Sequence, residues 1–230
     1  VKIVSRFGVG YDSVDLDVLK KNNIILTNTP NAVRRPVAVA SLTMILSLSG
    51  KLMIKDKLLR EGRWNERTNH MGVGLINKTL GIVGFGGIGR EFVKISKGLF
   101  KNIICYDPFV GKEEMKNLQV DKVDFDEIAN LSDFLVILCD LNKKTKGMID
   151  STFFNKMKSS SYLINLSRGP VVNEKHLIAS LKQNKISGAG LDVMTNEPIE
   201  ENNELLNLKN TILTPHSLCW TDECLSLIHI

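Results

Sequence analysis

The chain has 230 residues, of which 43% are hydrophobic and 24% are charged, a composition typical of globular proteins that excludes collagen-like and disordered chains. The net charge of +5 is spread along the sequence, and aromatic residues make up only 6% of it. This pattern lacks the concentrated basic and aromatic surface of nucleic-acid-binding proteins, so we expect no nucleic-acid partner.

Short apolar runs rich in β-branched residues predict eight strands along the chain. Several of these runs, such as FLVILC at 134–139, contain no alternation of polar and apolar residues. Strands that are covered on both faces have this pattern, which favours a parallel sheet. The predicted strands are 2–6, 24–28, 79–84, 103–107, 134–139, 162–166, 188–192 and 211–213.

Helical patterns lie between the predicted strands. Pro36 is expected to open a long helix over 36–60, because the fixed φ of proline suits a first turn, and Gly62 is expected to end it. Shorter helices are predicted over 90–99, 124–130 and 174–183, the last with Asn173 as its N-cap. The alternation of strands and helices predicts an α/β fold, a doubly wound parallel Rossmann sheet.

Cysteine use and hydropathy indicate the compartment. The four cysteines, at positions 105, 139, 219 and 224, form no C-x-x-C pair, as expected for a reduced, cytoplasmic protein. The 14 uncharged residues at 37–50 are too few to span a bilayer and predict a buried helix, so no membrane partner is expected.

The clearest local motif is GFGGIG at 84–89, between a predicted strand and a helix. Its first glycine permits a tight turn, its second lets the backbone approach a pyrophosphate, and its third allows close packing of helix on strand. Free N–H groups at the helix start would then face the phosphates. The predicted dinucleotide contacts are Gly84, Gly86, Gly87, Ile88, Gly89 and Arg90.

Asp107 ends the next predicted strand, 18 residues after Gly89. A carboxylate at this position would bind the adenosine ribose hydroxyls and repel a 2′-phosphate, which favours NAD over NADP. The alternative is that Asp107 only starts a turn before Pro108.

Three candidate catalytic residues lie in the last third of the chain. Arg168, in NLSRGP, is expected at the carboxyl edge of the sheet. There it could bind a carboxylate through two parallel hydrogen bonds or form a surface ion pair. His216, in LTPHS, could transfer a proton near neutral pH, although a lone histidine is more often structural. Glu197 lies in the loop after the strand 188–192. No set of residues has metal-ligand spacing, so no metal is expected.

With Arg168, Glu197 and His216 in this order after GFGGIG, the chain resembles the NAD-dependent D-isomer-specific 2-hydroxyacid dehydrogenases from about residue 3 to residue 223. The motifs that carry the resemblance are SRFGVGYDSVD (5–15), NTPNAV (28–33), GRW (62–64), KTLGIVGFGGIG (78–89), YDP (106–108), INLSRGPVVNE (164–174), GAGLDVMTNEP (188–198) and TPH (214–216).

The resemblance implies NAD as cofactor, a small 2-oxo or 2-hydroxy acid as substrate, and a role for each site residue. Arg168 would hold the substrate carboxylate, and His216 would be the general acid in reduction and the base in oxidation. Glu197 would orient His216 and favour its protonated form, and Asp192 would lie near the nicotinamide carboxamide. The backbone of Phe7, Gly8 and Val9 would donate to the substrate carboxylate.

The resemblance also implies a domain division. Residues 1–31 would be a truncated remnant of a flavodoxin-like substrate domain, 32–218 the NAD-binding domain, and 219–224 the start of the return to the substrate domain. The last residues, LSLIHI at 225–230, match the translation of a sequencing adapter, as expected for a metagenomic fragment. We expect the 230-residue piece to be inactive and the full-length protein to be a homodimer.

The chain departs from the family pattern at three places. Asp140 stands where a proline is usual, no glutamate lies near Ser41, and SLCW at 217–220 replaces a stretch that usually contains glycine. Trp220 could shape the substrate pocket or pack a domain interface. Two alternatives stay open: an NAD(H)-sensing protein of the corepressor type, and a dehydrogenase of the phosphoglycerate, formate or phosphite type.

Overall fold

A computed structural model describes residues 1–228. Residues 229 and 230, which belong to the predicted adapter segment 225–230, lie outside the described residues.

Seven parallel strands form one sheet, and their order confirms the predicted doubly wound fold. The strands are β3 (Thr79–Val83), β4 (Asn102–Tyr106), β5 (Asp121–Lys122), β6 (Phe134–Ile137), β7 (Tyr162–Asn165), β8 (Gly188–Leu191) and β9 (Thr211–Leu213). Their spatial order is β5-β4-β3-β6-β7-β8-β9. The chain winds outward from β3 to β5 and then returns to β6, so the direction of winding changes between β3 and β6. Ligands of such sheets bind at this switch point, outside the carboxyl ends of the strands.

A second, two-stranded parallel sheet precedes the large one. It consists of β1 (Ile3–Arg6) and β2 (Ile25–Asn28), with Ile3 opposite Ile25, and the two are joined through α1 (Leu16–Lys21). The side chain of Asp15 caps α1 by accepting from the Val18 N–H. Both paired isoleucines are more than half exposed, so one face of this small sheet is not covered by the described residues. The assignment of 1–31 to a substrate domain remains a prediction.

The prediction of one long helix over 36–60 is wrong in one respect, because two helices occupy the segment. These are α2 (Arg34–Gly50) and α3 (Leu52–Arg60), which meet at a bend of 58°. Lys51 between them has a φ of 52°, and this left-handed residue interrupts the helical hydrogen bonding. Gly62, with a φ of 70°, follows α3 as predicted. Within residues 1–228 no single helix is long and apolar enough to cross a membrane, and α2 and α3 meet that test of length and composition only as a bent pair.

Of the six remaining helices, five connect the strands of the large sheet and one follows its last strand. The N-caps of two of them have clear sequence origins: Asp124 forms a capping box with Glu127, and Asn173 accepts from the His176 N–H as predicted. The helices are α4 (Gly87–Ser96), α5 (Lys112–Lys116), α6 (Phe125–Leu131), α7 (Ser151–Lys156), α8 (Glu174–Lys182) and α9 (Asp222–Ile228). Short 3-10 helices lie at Trp64–His70, Gly169–Val171 and Glu204–Asn207.

The core lies on both faces of the large sheet, as the continuous apolar strands predict. Successive residues of β6 alternate between the two layers, with Val136 facing one and Leu135 the other. The first layer contains side chains of α2 and α4, among them Met44 and Phe92. The second contains side chains of α6, α7 and α8. The two layers hold the carboxyl ends of the strands in a fixed arrangement.

A pair of phenylalanine substitutions tests this assignment of the core. Phe92 on α4 is fully buried, and we expect Phe92→Ala to lower the free energy of unfolding by about 3–5 kcal/mol through a cavity. Phe109 is 86% exposed, and Phe109→Ala should change that free energy by less than about 0.5 kcal/mol. Urea unfolding followed by circular dichroism measures both variants, and equal losses would contradict the assignment.

Candidate cofactor and catalytic site

A cleft of about 1250 Å³ runs along the carboxyl ends of the large sheet. Its walls come from the loops after β3, β4, β6, β7, β8 and β9, together with the loop that follows β1. The fold therefore brings into one cleft residues that are far apart in the sequence. The predicted site residues that line it are Phe7, Gly8, Val9, Gly84, Gly86, Gly87, Ile88, Asp107, Arg168, Asp192 and His216.

The glycines of the motif differ in what surrounds them. Gly84 has a φ of 102°, and a Cβ there would lie 2.7 Å from the Cys139 nitrogen. A Cβ on Gly89 would overlap the carbonyl oxygen of Gly84, so α4 can pack against the end of β3 only if residue 89 is glycine. Gly86 is exposed, and a Cβ there would meet nothing within 4 Å. Two glycines thus hold the helix against the strand, and the third leaves the backbone open to the cleft.

The start of α4 has the features that an anion requires. Gly86 is the N-cap residue, and no side chain caps the helix. The first N–H groups of an α-helix have no partner within the helix, and they carry a partial positive charge. Because Gly86, Gly87 and Ile88 line the cleft, this end of α4 fits the phosphates of a dinucleotide.

Asp107 lies at the end of β4, next to the glycine motif. Its Oδ2 accepts from the Phe85 N–H at 2.8 Å, and its Oδ1 accepts from the Phe109 N–H at 2.9 Å. Asp107 therefore does start the turn considered in the sequence, and it also ties the glycine motif to β4. Each carboxylate oxygen can accept a further hydrogen bond, so the half-buried side chain also fits a ribose hydroxyl.

Two arginine side chains lie near the motif, and only one of them, Arg90, was predicted to contact the cofactor. The guanidinium of Arg90, a predicted cofactor contact, lies 4.9 Å over the Phe85 ring and pairs with Glu114 at 2.6 Å. Arg34, from the first turn of α2, lines the cleft. Arg34 was not among the predicted site residues, because 50 positions separate it from the first glycine of the motif.

Arg168 projects from the loop after β7 towards the loop after β1. The buried Asn165 builds this loop, since its amide donates to the Arg168 carbonyl at 3.0 Å and its Oδ1 accepts from the Ser167 N–H at 3.0 Å. The Nε of Arg168 donates to Asp12 Oδ1 at 2.9 Å, and its Nη1 donates to the Ser167 carbonyl at 2.7 Å. A guanidinium has five N–H donors, so three remain for a ligand. Arg168 therefore does form an ion pair, the alternative considered in the sequence, but its partner Asp12 was not predicted.

His216, which lines the cleft, forms a close pair with Glu197. The Nδ1 of His216 lies 2.7 Å from Glu197 Oε2. The other oxygen, Oε1, accepts from the Met194 N–H at 2.9 Å, which fixes the carboxylate. Among the described residues, the Nε2 of His216 has no hydrogen-bond partner. The paired ring is therefore oriented with one nitrogen left for a substrate.

Asp192 holds the loop that carries His216. Its side chain is only 3% exposed, and it accepts from the Thr214 hydroxyl at 2.6 Å. Its Oδ1 also accepts from the N–H groups of Ser217 and Leu218, each at 3.2 Å. Between these residues, His216 has a φ of 52°, in the left-handed region. The buried carboxylate stabilises this unusual backbone, and the predicted contact with a nicotinamide carboxamide stays a prediction.

The loop after β1 forms the opposite wall of the cleft. Of the predicted backbone donors, Gly8 already donates its N–H to Thr29 Oγ1 at 3.0 Å. Phe7 contacts Trp220 edge to face, with ring centroids 6.2 Å apart. Both rings line the cleft, so this end of it has an aromatic surface. Within residues 1–228, no group of three or more potential metal ligands is present.

Comparisons with known proteins agree with this geometry. Residues 42–217 match the family model described as "D-isomer specific 2-hydroxyacid dehydrogenase, NAD binding domain". The chain is 36% identical over 223 residues to a D-3-phosphoglycerate dehydrogenase of Archaeoglobus fulgidus, covering 97% of this chain and 42% of the relative. It is 37% identical over 222 residues to a glyoxylate reductase of Thermococcus litoralis, covering 94% of this chain and 67% of the relative.

Solved structures of similar proteins superpose on nearly the whole chain. A glyoxylate reductase from Paecilomyes thermophila superposes with a TM-score of 0.90 and 31% identity, over 100% of this chain and 69% of that one. A D-lactate dehydrogenase from Aquifex aeolicus, complexed with NAD and lactic acid, superposes with a TM-score of 0.91 and 30% identity. That match covers 99% of this chain and 73% of the other.

Two cysteines that line the cleft, Cys139 and Cys219, provide a test of whether their thiols are buried in the folded chain. Burial raises the pKa of Cys139 to about 12 and that of Cys219 to about 11. At about pH 8 a thiol with the higher of these pKa values is ionised in roughly one molecule in ten thousand. Since the thiolate is the reactive form, we expect iodoacetamide to modify Cys139 very slowly in the folded chain and readily in concentrated urea. Mass spectrometry of peptides measures this, and equal rates in the two states would contradict the burial.

Proposed function

The chain belongs to the D-isomer specific 2-hydroxyacid dehydrogenase family, and we propose that it forms the NAD-binding and catalytic part of an enzyme that interconverts a small D-2-hydroxy acid and its 2-oxo acid. The family match is to the NAD-binding domain, and the cofactor is NAD. The observation that carries the proposal is the position of Arg168 and His216 in the same cleft as the glycine motif.

The proposed mechanism assigns one task to each side chain. NADH, held at the glycine motif, would supply the hydride that reduces the carbonyl carbon of the 2-oxo acid. Arg168 binds the substrate carboxylate through the N–H groups that Asp12 and Ser167 leave open. His216 donates a proton from Nε2 to the carbonyl oxygen, and in the reverse direction it accepts that proton.

Two carboxylates position these groups. Glu197 accepts from His216 Nδ1, which fixes the ring and stabilises its positive charge before the proton is transferred. Asp12 accepts from Arg168 Nε, which directs the remaining edge of the guanidinium into the cleft. Such fixed geometry lowers the barrier because the groups need no rearrangement during the reaction.

The assembly and location belong to the same proposal. Several apolar side chains along α2 and α3 are exposed, among them Leu46, Leu52 and Met53. Large exposed apolar surfaces often mark protein interfaces, which supports a homodimer of the full-length protein. The predicted cytoplasmic location has the support of four free cysteines.

The experiment that tests the function is NADH oxidation with a panel of 2-oxo acids: glyoxylate, hydroxypyruvate and pyruvate. It is run with the longest natural reading frame that contains this chain and, in parallel, with the 230 residues alone. We expect turnover by the longer protein, and loss of it in His216→Gln. Tight binding of NADH without turnover of any 2-oxo acid would contradict the proposed enzymatic function and favour an NAD(H) sensor. Oxidation of 3-phosphoglycerate with NAD would identify the substrate as a phosphorylated acid.

Arg168→Lys tests the role of the guanidinium. Lysine keeps the charge but cannot hold a carboxylate with two parallel hydrogen bonds, so we expect kcat/KM for the 2-oxo acid to fall about 10- to 100-fold. Steady-state kinetics of the longer protein measures the change, with Arg60→Lys on the exposed surface of α3 as a control. An Arg168→Lys protein with unchanged kcat/KM would exclude the proposed carboxylate contact.

A further inference from the structure

Arg34 lines the cleft beside the glycine motif and has no assigned role. Its side chain has no hydrogen-bond or ion-pair partner within residues 1–228. The next residue, Arg35, differs in this respect, because it pairs with Glu91 of α4 at 2.8 Å. That ion pair joins the first turn of α2 to α4, so the backbone of Arg34 is held next to the start of α4 while its guanidinium remains available.

Gly87 makes room for the Arg34 side chain. A Cβ on Gly87 would overlap Arg34 Nε and lie 3.0 and 3.1 Å from its Cζ and Cδ. The backbone of Gly87 does not have a positive φ, so its conformation is open to any residue. Because residue 87 is glycine, the Arg34 side chain can occupy the space that a side chain at position 87 would fill.

This placement adds a full positive charge to the partial charge of a helix start. Gly87 is the first residue of α4, and both it and Arg34 line the cleft. The planar guanidinium offers a fork of donors that matches two phosphate oxygens. We propose that Arg34 is a cofactor-binding residue that contacts the diphosphate of NAD from α2. The inference rests on the proposed function only for the identity of the cofactor.

The test is the affinity of the 230-residue chain for NADH, ADP-ribose and adenosine, measured by fluorescence titration and calorimetry. We expect Arg34→Gln to weaken the binding of NADH and of ADP-ribose about tenfold, which is the loss expected for one charge-assisted contact. The affinity for adenosine should stay unchanged. The dependence of NADH affinity on salt concentration should also become weaker. Arg60→Gln, which removes a charge far from the cleft, should have no effect.

Gly87→Ala provides a second, independent arm. In the chain with Arg34, the new methyl group should displace the guanidinium and lower the affinity for NADH several-fold. In the Arg34→Gln chain, the same substitution should have little further effect, because the two changes act on one contact. Circular dichroism checks that each variant is folded.

Three outcomes separate the inference from the proposed function. Arg34→Gln binding NADH as tightly as the parent, or Gly87→Ala acting equally in both backgrounds, would overturn the role of Arg34. A parent chain that binds no NADH would overturn both the cofactor assignment and the role of Arg34. Coupled effects on NADH affinity, with no turnover of 2-oxo acids by the longer protein, would support Arg34 and contradict only the enzymatic function.

Discussion

The close packing of α4 against the end of β3 is the constraint on which the candidate site depends. The helix can approach only because Gly89 lacks a side chain where it meets the carbonyl of Gly84. This approach sets the start of α4 at the switch point of the sheet, where its free N–H groups face the cleft. It also brings the Phe85 N–H to Asp107 at 2.8 Å. In the proposed function, binding of the diphosphate and preference for NAD over NADP would therefore depend on the same contact.

Carboxylates arrange the other half of the cleft through hydrogen bonds within the protein. Asp192 and Glu197 both accept backbone N–H groups, and together they hold the loop and the ring of His216. Asp12, in the loop after β1, accepts from the Nε of Arg168 and holds its guanidinium. Arg168 and His216 are thus each paired with an acid from a different segment. The arrangement of these two side chains is therefore a property of the folded chain, because neither pair is local in sequence.

Local pattern was enough to predict most of the fold, because buried parallel strands and the glycine motif have direct sequence signatures. The break at Lys51 was missed because a lysine gives no signal of a left-handed conformation. The two-residue strand β5 was missed because it is too short to show periodicity. Arg34 and Asp12 were missed for a different reason: both act through contacts with residues that are distant in sequence. The side chain of Arg90 was assigned to the cofactor by its position in the motif, but its guanidinium pairs with Glu114.

The proposed site for NAD is the turn between β3 and α4, with Asp107 beside it. The most direct measurement is the ratio of the dissociation constants of NADPH and NADH for this chain, titrated by nucleotide fluorescence. The carboxylate of Asp107 would face the extra phosphate of NADPH, and this repulsion should make NADH bind at least about tenfold more tightly. Equal affinity for the two nucleotides, or tighter binding of NADPH, would contradict this assignment of the site.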